Sequence, residues 1–357
     1  MSATFGNKIK VTLFGQSHSE AMGAVVDGVP AGIKIDPEAL DRFMARRAPG
    51  GEFATKRKEA DKVHFISGIG PDGLTCGAPI CMIINNTDAR SSDYDKLKVL
   101  PRPSHSDYAA YLRYNGHNDI RGGGQFSGRL TAPLCAAGFI CKTMLESRGI
   151  KIISHIYEIY GIQDEHLPQE TPSAELFEKL EASHFAVIND KKAELMKAAI
   201  KEAAEGGDSV GGITEVGIYG LEAGLGEPFF GSVEGAIAQT MFAVPAVKGI
   251  EFGAGFNLAK MKGSEANDAY FTDETGAVKT RTNNCGGILG GISSGMPVIF
   301  RAVFKPTPSI AKEQDTVNLK TGQAEKLSVG GRLDPCILTR TPSVCEAAAA
   351  IVVVNLD

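Results

Sequence analysis

The sequence predicts a single α+β domain over residues 1–357, built around a pseudo-twofold core. Three observations carry that expectation. Two segments recur in the same order: "GVPAG" at Gly28 returns as "GLEAG" at Gly220, and "GLTCGAPICMII" at Gly73 returns as "GISSGMPVIFRA" at Gly291. The second pair shares G-x-[ST]-x-G-x-P followed by an apolar, strand-like run. No Pro/Ser-rich linker divides the two copies. Helix signals fall between and after them.

In chain order, "KIKVTLF" reads as a strand and leads into a small-residue loop, "FGQSHSEAMG", that carries His18. "DPEALDRFMARRAPG" reads as a helix. Asp36 caps it, Pro37 fits the first turn, and Leu40, Phe43 and Met44 share a face. Pro49 and Gly50 end it, which puts Arg46 and Arg47 in the last turn. A long helix is expected from Ala132 to Arg148, stopped by Gly149. The most polar stretch, 163–207, reads as helices, the second with Asp190 as N-cap and Gly206 as stop. The last helix opens on Ser343-x-x-Glu346, the pattern of a capping box, and runs on through "AAAAIVVV" as a buried element.

Composition narrows the function classes. The chain is 43% hydrophobic and 22% charged, with a formal net charge of −5. That balance argues against a nucleic-acid binder, so any anion must be held by a local cluster. The seven cysteines are odd in number and include no Cys-x-x-Cys, so they read as buried free thiols in a reducing compartment, with no zinc pattern. The N-terminal segment lacks an apolar signal core and no run is long enough to cross a membrane. A cytoplasmic protein without membrane partners is expected. The 42 glycines lie mostly in short motifs, as in loops that expose backbone to a ligand.

The richest stretch is "RPSHSDYAAYLRYNGHNDIRGGGQFSGRLTAP", from Arg102 to Pro133. It holds Arg102, Arg113, Arg121 and Arg129, His105 and His117, and the run Gly122, Gly123, Gly124. A glycine loop ahead of a helix can aim several N–H groups at an anion, and guanidinium groups bind phosphate or carboxylate in pairs. A lone Gly-Gly-Gly is more often a plain turn; the four nearby arginines shift that balance. His105 and His18 sit in loops and can carry protons near neutral pH, although a single loop histidine is more often a hydrogen-bonding group. His117 reads as structural. "SVGGRLDPC" brings Arg332 and Asp334 into a further glycine-rich loop, and "KPTPSI" from Lys305 to Ile310 ends a strand with a lysine and hydroxyls suited to phosphate. If these loops converge, they make a pocket for a multiply charged small anion.

The motifs, taken together, resemble the chorismate synthase family. "FGQSHSEAMG", "DGVPAG", "RPSHSDY", "DIRGGGQFSGRLTA", "AGLGEP", "AVKGIEFGAGF", "GGILGGISSG", "FKPTPSI" and "GRLDPC" fall in that family's order across nearly the whole chain. The resemblance implies a β-α-β sandwich, assembled as a homotetramer. It implies conversion of 5-enolpyruvylshikimate 3-phosphate to chorismate by 1,4-elimination of phosphate, with reduced FMN required and no net oxidation. It implies His18, His105 and Asp334 as catalytic groups: His18 at the leaving phosphate, His105 at the flavin, Asp334 in proton relay. Arg47, Arg102, Arg129 and Arg332 would hold the substrate's acidic groups. Flavin contacts would come from Gly124, Gln125, Phe126, Ser127, Ala246, Gly290, Lys305, Pro306, Thr307, Pro308, Ser309 and Arg332. No nicotinamide fingerprint is visible, so an external flavin reductant, rather than NADPH acting on this chain, is expected.

The sequence departs from the family pattern at several points. Gln16 and Ser19 flank His18 where GESHG is usual, and "RPSHSD" replaces "RPGHAD". Gln125 and Phe126 replace an arginine and a serine, Leu333 replaces a histidine, and an arginine usual after the first helix is missing at "APGGEF". Three rival readings stand beside the resemblance: a flavin-dependent lyase for another phosphorylated cyclic acid, which the altered loops motivate, a flavin- or phosphate-binding module without catalysis, and an RNA-binding protein using the arginine-rich loop, against which the acidic balance and the 7% aromatic content argue.

Overall fold

The structure, a computed structural model, describes residues 3–49, 61–86, 96–330 and 333–356. Gly50 and Arg332, both singled out in the sequence, lie outside the described residues.

The first half contributes strands β1 (Thr4–Phe5), β2 (Lys10–Gly15) and β3 (Ala21–Asp27), helix α1 (Pro37–Arg47), then β4 (His64–Ser67) and β5 (Ile80–Asn85). The strands form an antiparallel sheet in the order β1-β2-β3-β5-β4. Short helix α2 (Asp107–Arg113) and long helix α3 (Thr131–Glu146) follow. The second half contributes β6 (Lys151–Ile159), β7 (Ile162–Gln163), helices α4 (Ala174–Ala182) and α5 (Asp190–Glu205), β8 (Gly212–Tyr219), α6 (Val233–Ala243) and β9 (Val247–Phe252). After the one-turn helix α7 (Gly263–Ala266) come two hairpins, β10 (Tyr270–Thr272) with β11 (Val278–Thr280) and β12 (Ile288–Leu289) with β13 (Ile292–Ser293). Strand β14 (Val298–Phe304), the hairpin β15 (Gln314–Val317) with β16 (Ala324–Leu327), and helix α8 (Thr341–Val353) complete the chain. The second large sheet runs β7-β6-β8-β14-β9, again antiparallel.

The two sheets are outer layers and α1, α3, α6 and α8 lie between them. Helix α3 packs on β2, β3 and β5 of one sheet and on β6 of the other, while α8 packs on α3, β6 and β8. That sandwiching explains the composition of α8: "VCEAAAAIVV" is buried on every side, as a helix with apolar residues all round must be. One hydrophobic cluster runs from Ile9 through α3 and α8 to Phe304. The α+β sandwich expected from the resemblance is therefore the observed architecture.

The sequence repeat has a structural counterpart. Gly28 follows β3 and Gly220 follows β8. A Cβ at Gly28 would lie 2.2 Å from the carbonyl oxygen of Lys8, and one at Gly220 would lie 2.6 Å from that of Gly149. Lys8 precedes β2 and Gly149 precedes β6, so the same crossing recurs in both halves. Likewise β5 pairs with β3 and β14 pairs with β8.

The halves differ at their outer faces. On the second sheet, α4 covers Ile153, Tyr219 and Ile299 with Leu180, and the segments flanking it add Leu167 and Ala186. No such cover lies over the first sheet among the described residues, and Phe14 and Ile66 are exposed there.

Helix ends follow the sequence with two corrections. Asp36 caps α1 by accepting from the Glu38 amide, and Gly206 stops α5. At the start of α5, however, the N-cap is Asn189, whose side chain accepts from the Lys191 amide, and Asp190 is the first helical residue. The expected capping box of Ser343 and Glu346 does not form. Helix α8 begins at Thr341 with Pro342 in its first turn, so Ser343 and Glu346 are interior. Glu346 is claimed instead by Arg46, which it meets through two bonds of 2.9 and 2.7 Å, by Ser154 at 2.7 Å and by Lys142 at 3.3 Å. A carboxylate buried in the helical layer needs these partners more than a helix end needs a second cap.

Candidate functional site

Three glycines of positive φ, Gly122, Gly123 and Gly124, make a turn ahead of α3. A Cβ at Gly122 would lie 2.2 Å from the His18 ring, and one at Gly123 would lie 3.3 Å from the Nε2 and Cε1 atoms of His105. The bare turn thus fits between the two histidines, and only glycine lets both rings approach. Neighbouring bonds lock the arrangement. The Ser17 amide donates to the Gly124 carbonyl at 3.2 Å, the Ser17 hydroxyl donates to the Arg121 carbonyl at 3.0 Å, and Ser17 Oγ lies 3.1 Å from His18 Nδ1.

The altered residues around His18 complete its loop. Ser19 Oγ accepts from the Gln16 amide at 2.9 Å and lies 2.8 and 2.7 Å from the Gln16 and Ala21 carbonyls, while Asn86 donates to the carbonyls of Gln16 and Ser19. Gln125 and Phe126 also have a local purpose. Gln125 donates to the Tyr114 hydroxyl at 2.9 Å, and the Phe126 ring lies 6.2 Å from that of Tyr114. Both therefore brace the turn against the end of α2. Ser127 caps the next turn by accepting from the Arg129 amide.

The Arg102 loop closes on the Lys305 loop. Arg102 donates to Ser309 Oγ at 3.2 Å, Lys305 Nζ donates to the Ser104 carbonyl at 2.8 Å, and the Lys305 amide donates to the Ala246 carbonyl at 3.0 Å. Pro306, Thr307 and Pro308 lie between these anchors. Asp334 is linked through one more segment: the Ser209 hydroxyl donates to the Thr307 carbonyl and the Val210 amide to the Pro335 carbonyl. Its carboxylate accepts from Arg340 at 2.9 Å. Gly290 stands apart, in the β12–β13 turn with open space beside its Cα, and that hairpin is bonded to the 224–233 segment. Arg121, at the mouth of the glycine turn, is held by both oxygens of Asp119.

Arg47 and Arg129 meet at a residue the sequence reading missed. Arg47 is 1% exposed, and its Nη1 donates to Asp61 Oδ2 at 2.5 Å, its Nε to Thr131 and its Nη2 to the Gly128 carbonyl. Arg129 donates to the other oxygen of Asp61. Burial works to raise the Asp61 pKa, but the two guanidinium groups outweigh it and the net shift is downward. The trio carries one net positive charge. Nothing in "EADKVHF" marks Asp61, because its partners stand 14 and 68 positions away.

A cofactor bearing phosphate finds a fitting set of residues here. Thr307 Oγ1 is buried and has no hydrogen-bond partner among the described residues. Burial lowers the Lys305 pKa, and the neighbouring Lys248 adds to the effect. An orphan hydroxyl two residues from a lysine whose charge burial disfavours matches an anionic group that would accept from both. Among the described residues, no helix is long and apolar enough to cross a membrane.

The fold and these loops define an α+β sandwich enzyme. Comparison with known proteins makes the class specific. The family model for chorismate synthase matches residues 9–356. A chorismate synthase of Korarchaeum cryptofilum is 42% identical over 358 residues, covering 98% of this chain and 96% of that protein. One of Chitinophaga pinensis is 45% identical, covering 98% and 94%. A crystal structure of chorismate synthase superposes with a TM-score of 0.76 at 27% identity, covering 98% of this chain and 92% of the other. The chain belongs to the chorismate synthase family, and it is a lyase of aromatic biosynthesis.

Proposed function

We propose that this chain, as one domain, converts 5-enolpyruvylshikimate 3-phosphate to chorismate and phosphate by 1,4-elimination, with reduced FMN as cofactor. The observation that carries the reading is the glycine turn held between His18 and His105, next to the loop that joins Arg102 to Lys305 and Ser309. When bound, the reduced flavin supplies transient electron density that eases C–O cleavage and is returned without net oxidation.

The residues of the chain have separable tasks. By family membership Arg332 would help hold the phosphate and carboxylates, and Arg102 and the Arg47–Asp61–Arg129 unit are fixed cations for the same groups. Fixed in place, they stabilise negative charge growing on the departing phosphate without reorganising. His18 donates a proton to that phosphate, and Asp334 holds the proton removed from the ring carbon. His105 donates or accepts at Nε2, the atom facing Gly123. Lys305, Thr307, Ser309 and the 124–127 turn would hold the cofactor's phosphate and ring edge. Self-association to a homotetramer, an external flavin reductant and a cytoplasmic site of action belong to the same reading, which rests on family membership.

The test is anaerobic phosphate release from 5-enolpyruvylshikimate 3-phosphate with reduced FMN, with oxidised FMN and without flavin. Release that requires reduced FMN supports the assignment. A folded, flavin-binding protein that releases none refutes it and favours a different phosphorylated cyclic acid as substrate.

A further inference from the structure

Asp107 is the first residue of α2, is buried, and belongs to none of the roles above. Its two oxygens receive four bonds from two candidate site residues. Oδ2 accepts from the Arg102 amide at 3.0 Å and from Arg102 Nε at 2.7 Å. Oδ1 accepts from Arg102 Nη2 at 2.8 Å and lies 2.6 Å from His105 Nδ1. The turn between them is closed by the His105 amide donating to the Arg102 carbonyl at 3.2 Å.

That geometry fixes the proton on the ring. His105 Nδ1 also lies 3.1 Å from Arg102 Nη2 and 3.4 Å from Ser106 Oγ. An ionised carboxylate can only accept, and it makes the shortest of the three contacts, so Nδ1 carries the hydrogen. With Nδ1–H directed at Asp107, the 3.1 Å approach of Arg102 Nη2 brings two donors together and is not a hydrogen bond. The neutral ring then presents a bare Nε2 towards Gly123, and the charged ring presents Nε2–H to the same place. Burial alone would raise the Asp107 pKa, but the bonds from Arg102 and His105 overcome it and hold the group ionised.

We infer that Asp107 is a positioning residue that joins Arg102 and His105 into one rigid unit, sets the Nδ1–H tautomer of His105 and so aims Nε2 into the site. The catalytic meaning rests on the proposed function, whereas the tautomer does not. Both substrate binding, through Arg102, and proton handling, through His105, are governed by this one carboxylate.

The experiment is 15N NMR of the full-length chain with labelled histidine rings, at a pH where the rings are neutral, with His105 assigned by its loss in His105→Gln. The wild type is expected to show the proton on Nδ1. In Asp107→Asn the amide can donate to Nδ1, and a shift of the population to Nε2–H is expected. With the substrate, kcat of Asp107→Asn is expected to fall by roughly 10²–10⁴ as His105 loses its tautomer, and KM to rise as Arg102 loses its anchor, the kcat loss being the larger. Asp107→Glu, which keeps a carboxylate, is expected to recover at least part of kcat and the Nδ1–H signal. A wild-type ring protonated on Nε2 overturns the inference whether or not the variants fold. So does a folded Asp107→Asn with unchanged tautomer and near-normal kcat. If the chain releases no phosphate from the substrate, the spectrum still decides the tautomer, and the failure belongs to the proposed function alone.

Discussion

Two of the histidines that face carboxylates, His105 and His155, are used in opposite ways. His105 is 14% exposed, meets one carboxylate at Nδ1, and leaves Nε2 towards the glycine turn. His155, on β6, is 0% exposed and is held at both nitrogens, by Asp164 at 3.1 Å and Glu215 at 3.3 Å. Burial opposes charge on His155, but the two carboxylates more than offset it and raise its pKa. Glu215 also accepts from Arg301 at 2.9 Å and from the Leu167 amide at 2.6 Å, and Asp164 accepts from the amides of Ile188 and Asn189. His155 is thus a cation that fastens the segment around α4 and α5 to the second sheet. A histidine with both nitrogens taken is structural; one with a single nitrogen held is free to act.

Exchanging each ring for alanine is the sharpest way to break this comparison. His105→Ala should cut phosphate release by roughly 10²–10⁴ with a nearly unchanged thermal midpoint. His155→Ala should leave two buried carboxylates short of a partner and cost about 3–5 kcal/mol in urea unfolding, with kcat of the folded fraction preserved. If His155→Ala abolishes turnover in a stable protein, the division between the two histidines fails.

The pH dependence of stability sharpens it next. His155 has a folded pKa above its ordinary 6.5, so its contribution is fully present below that value and is lost as pH rises through the folded pKa. Hydrogen exchange at Leu167, Ile188 and Asn189 should accelerate as pH rises above 6.5 more than exchange around His105. Glu346 supplies the opposite limb. Burial raises its pKa, yet Arg46 and Lys142 outweigh that and hold it near about 2, against an ordinary 4.5. Its contribution is present above 4.5 and is lost as pH falls towards 2, so the urea midpoint should drop at both ends.

Smaller effects probe the turns beside His18 and His105. Gly122→Ala places a methyl group against the His18 ring in a left-handed conformation, and a loss of about 1–3 kcal/mol is expected, together with slower phosphate release. Ser104 adopts φ +58° at the position where the related motif has glycine. Ser104→Gly should therefore raise the urea-unfolding free energy, by up to about 1 kcal/mol, since the carbonyl bonded by Lys305 is unchanged.

Much of this could be read from the chain alone. Local signals settle within a few residues: the Asp36 cap, the Gly206 stop and the bare turn at 122–124 follow from backbone geometry, and the motif repeat at Gly28 and Gly220 was visible, though not the chain crossings it marks. The histidines at 18 and 105 were visible because their loops carry small residues. "RPSHSD" also held the His-x-Asp spacing that would have pointed to Asp107. The 163–207 helices were legible, but not that they cover one sheet of two.

What only the tertiary structure decided is where buried charges find partners. Arg46 and Glu346 are 300 positions apart, Arg129 and Asp61 are 68 apart, and His155 meets Glu215 across 60. No local pattern encodes such a pair, because the pairing is imposed by burial. A charge taken out of water must be answered by whatever the packed layers bring to it. That is why Ser343 and Glu346, which read as a helix start, became the interior of a helix whose carboxylate serves Arg46 and Lys142. Gln125 and Phe126, which depart from the family's loop, meet Tyr114 at the surface instead. The sequence determined the motifs and their order; the stacking of two sheets on one helical layer determined which of those residues meet.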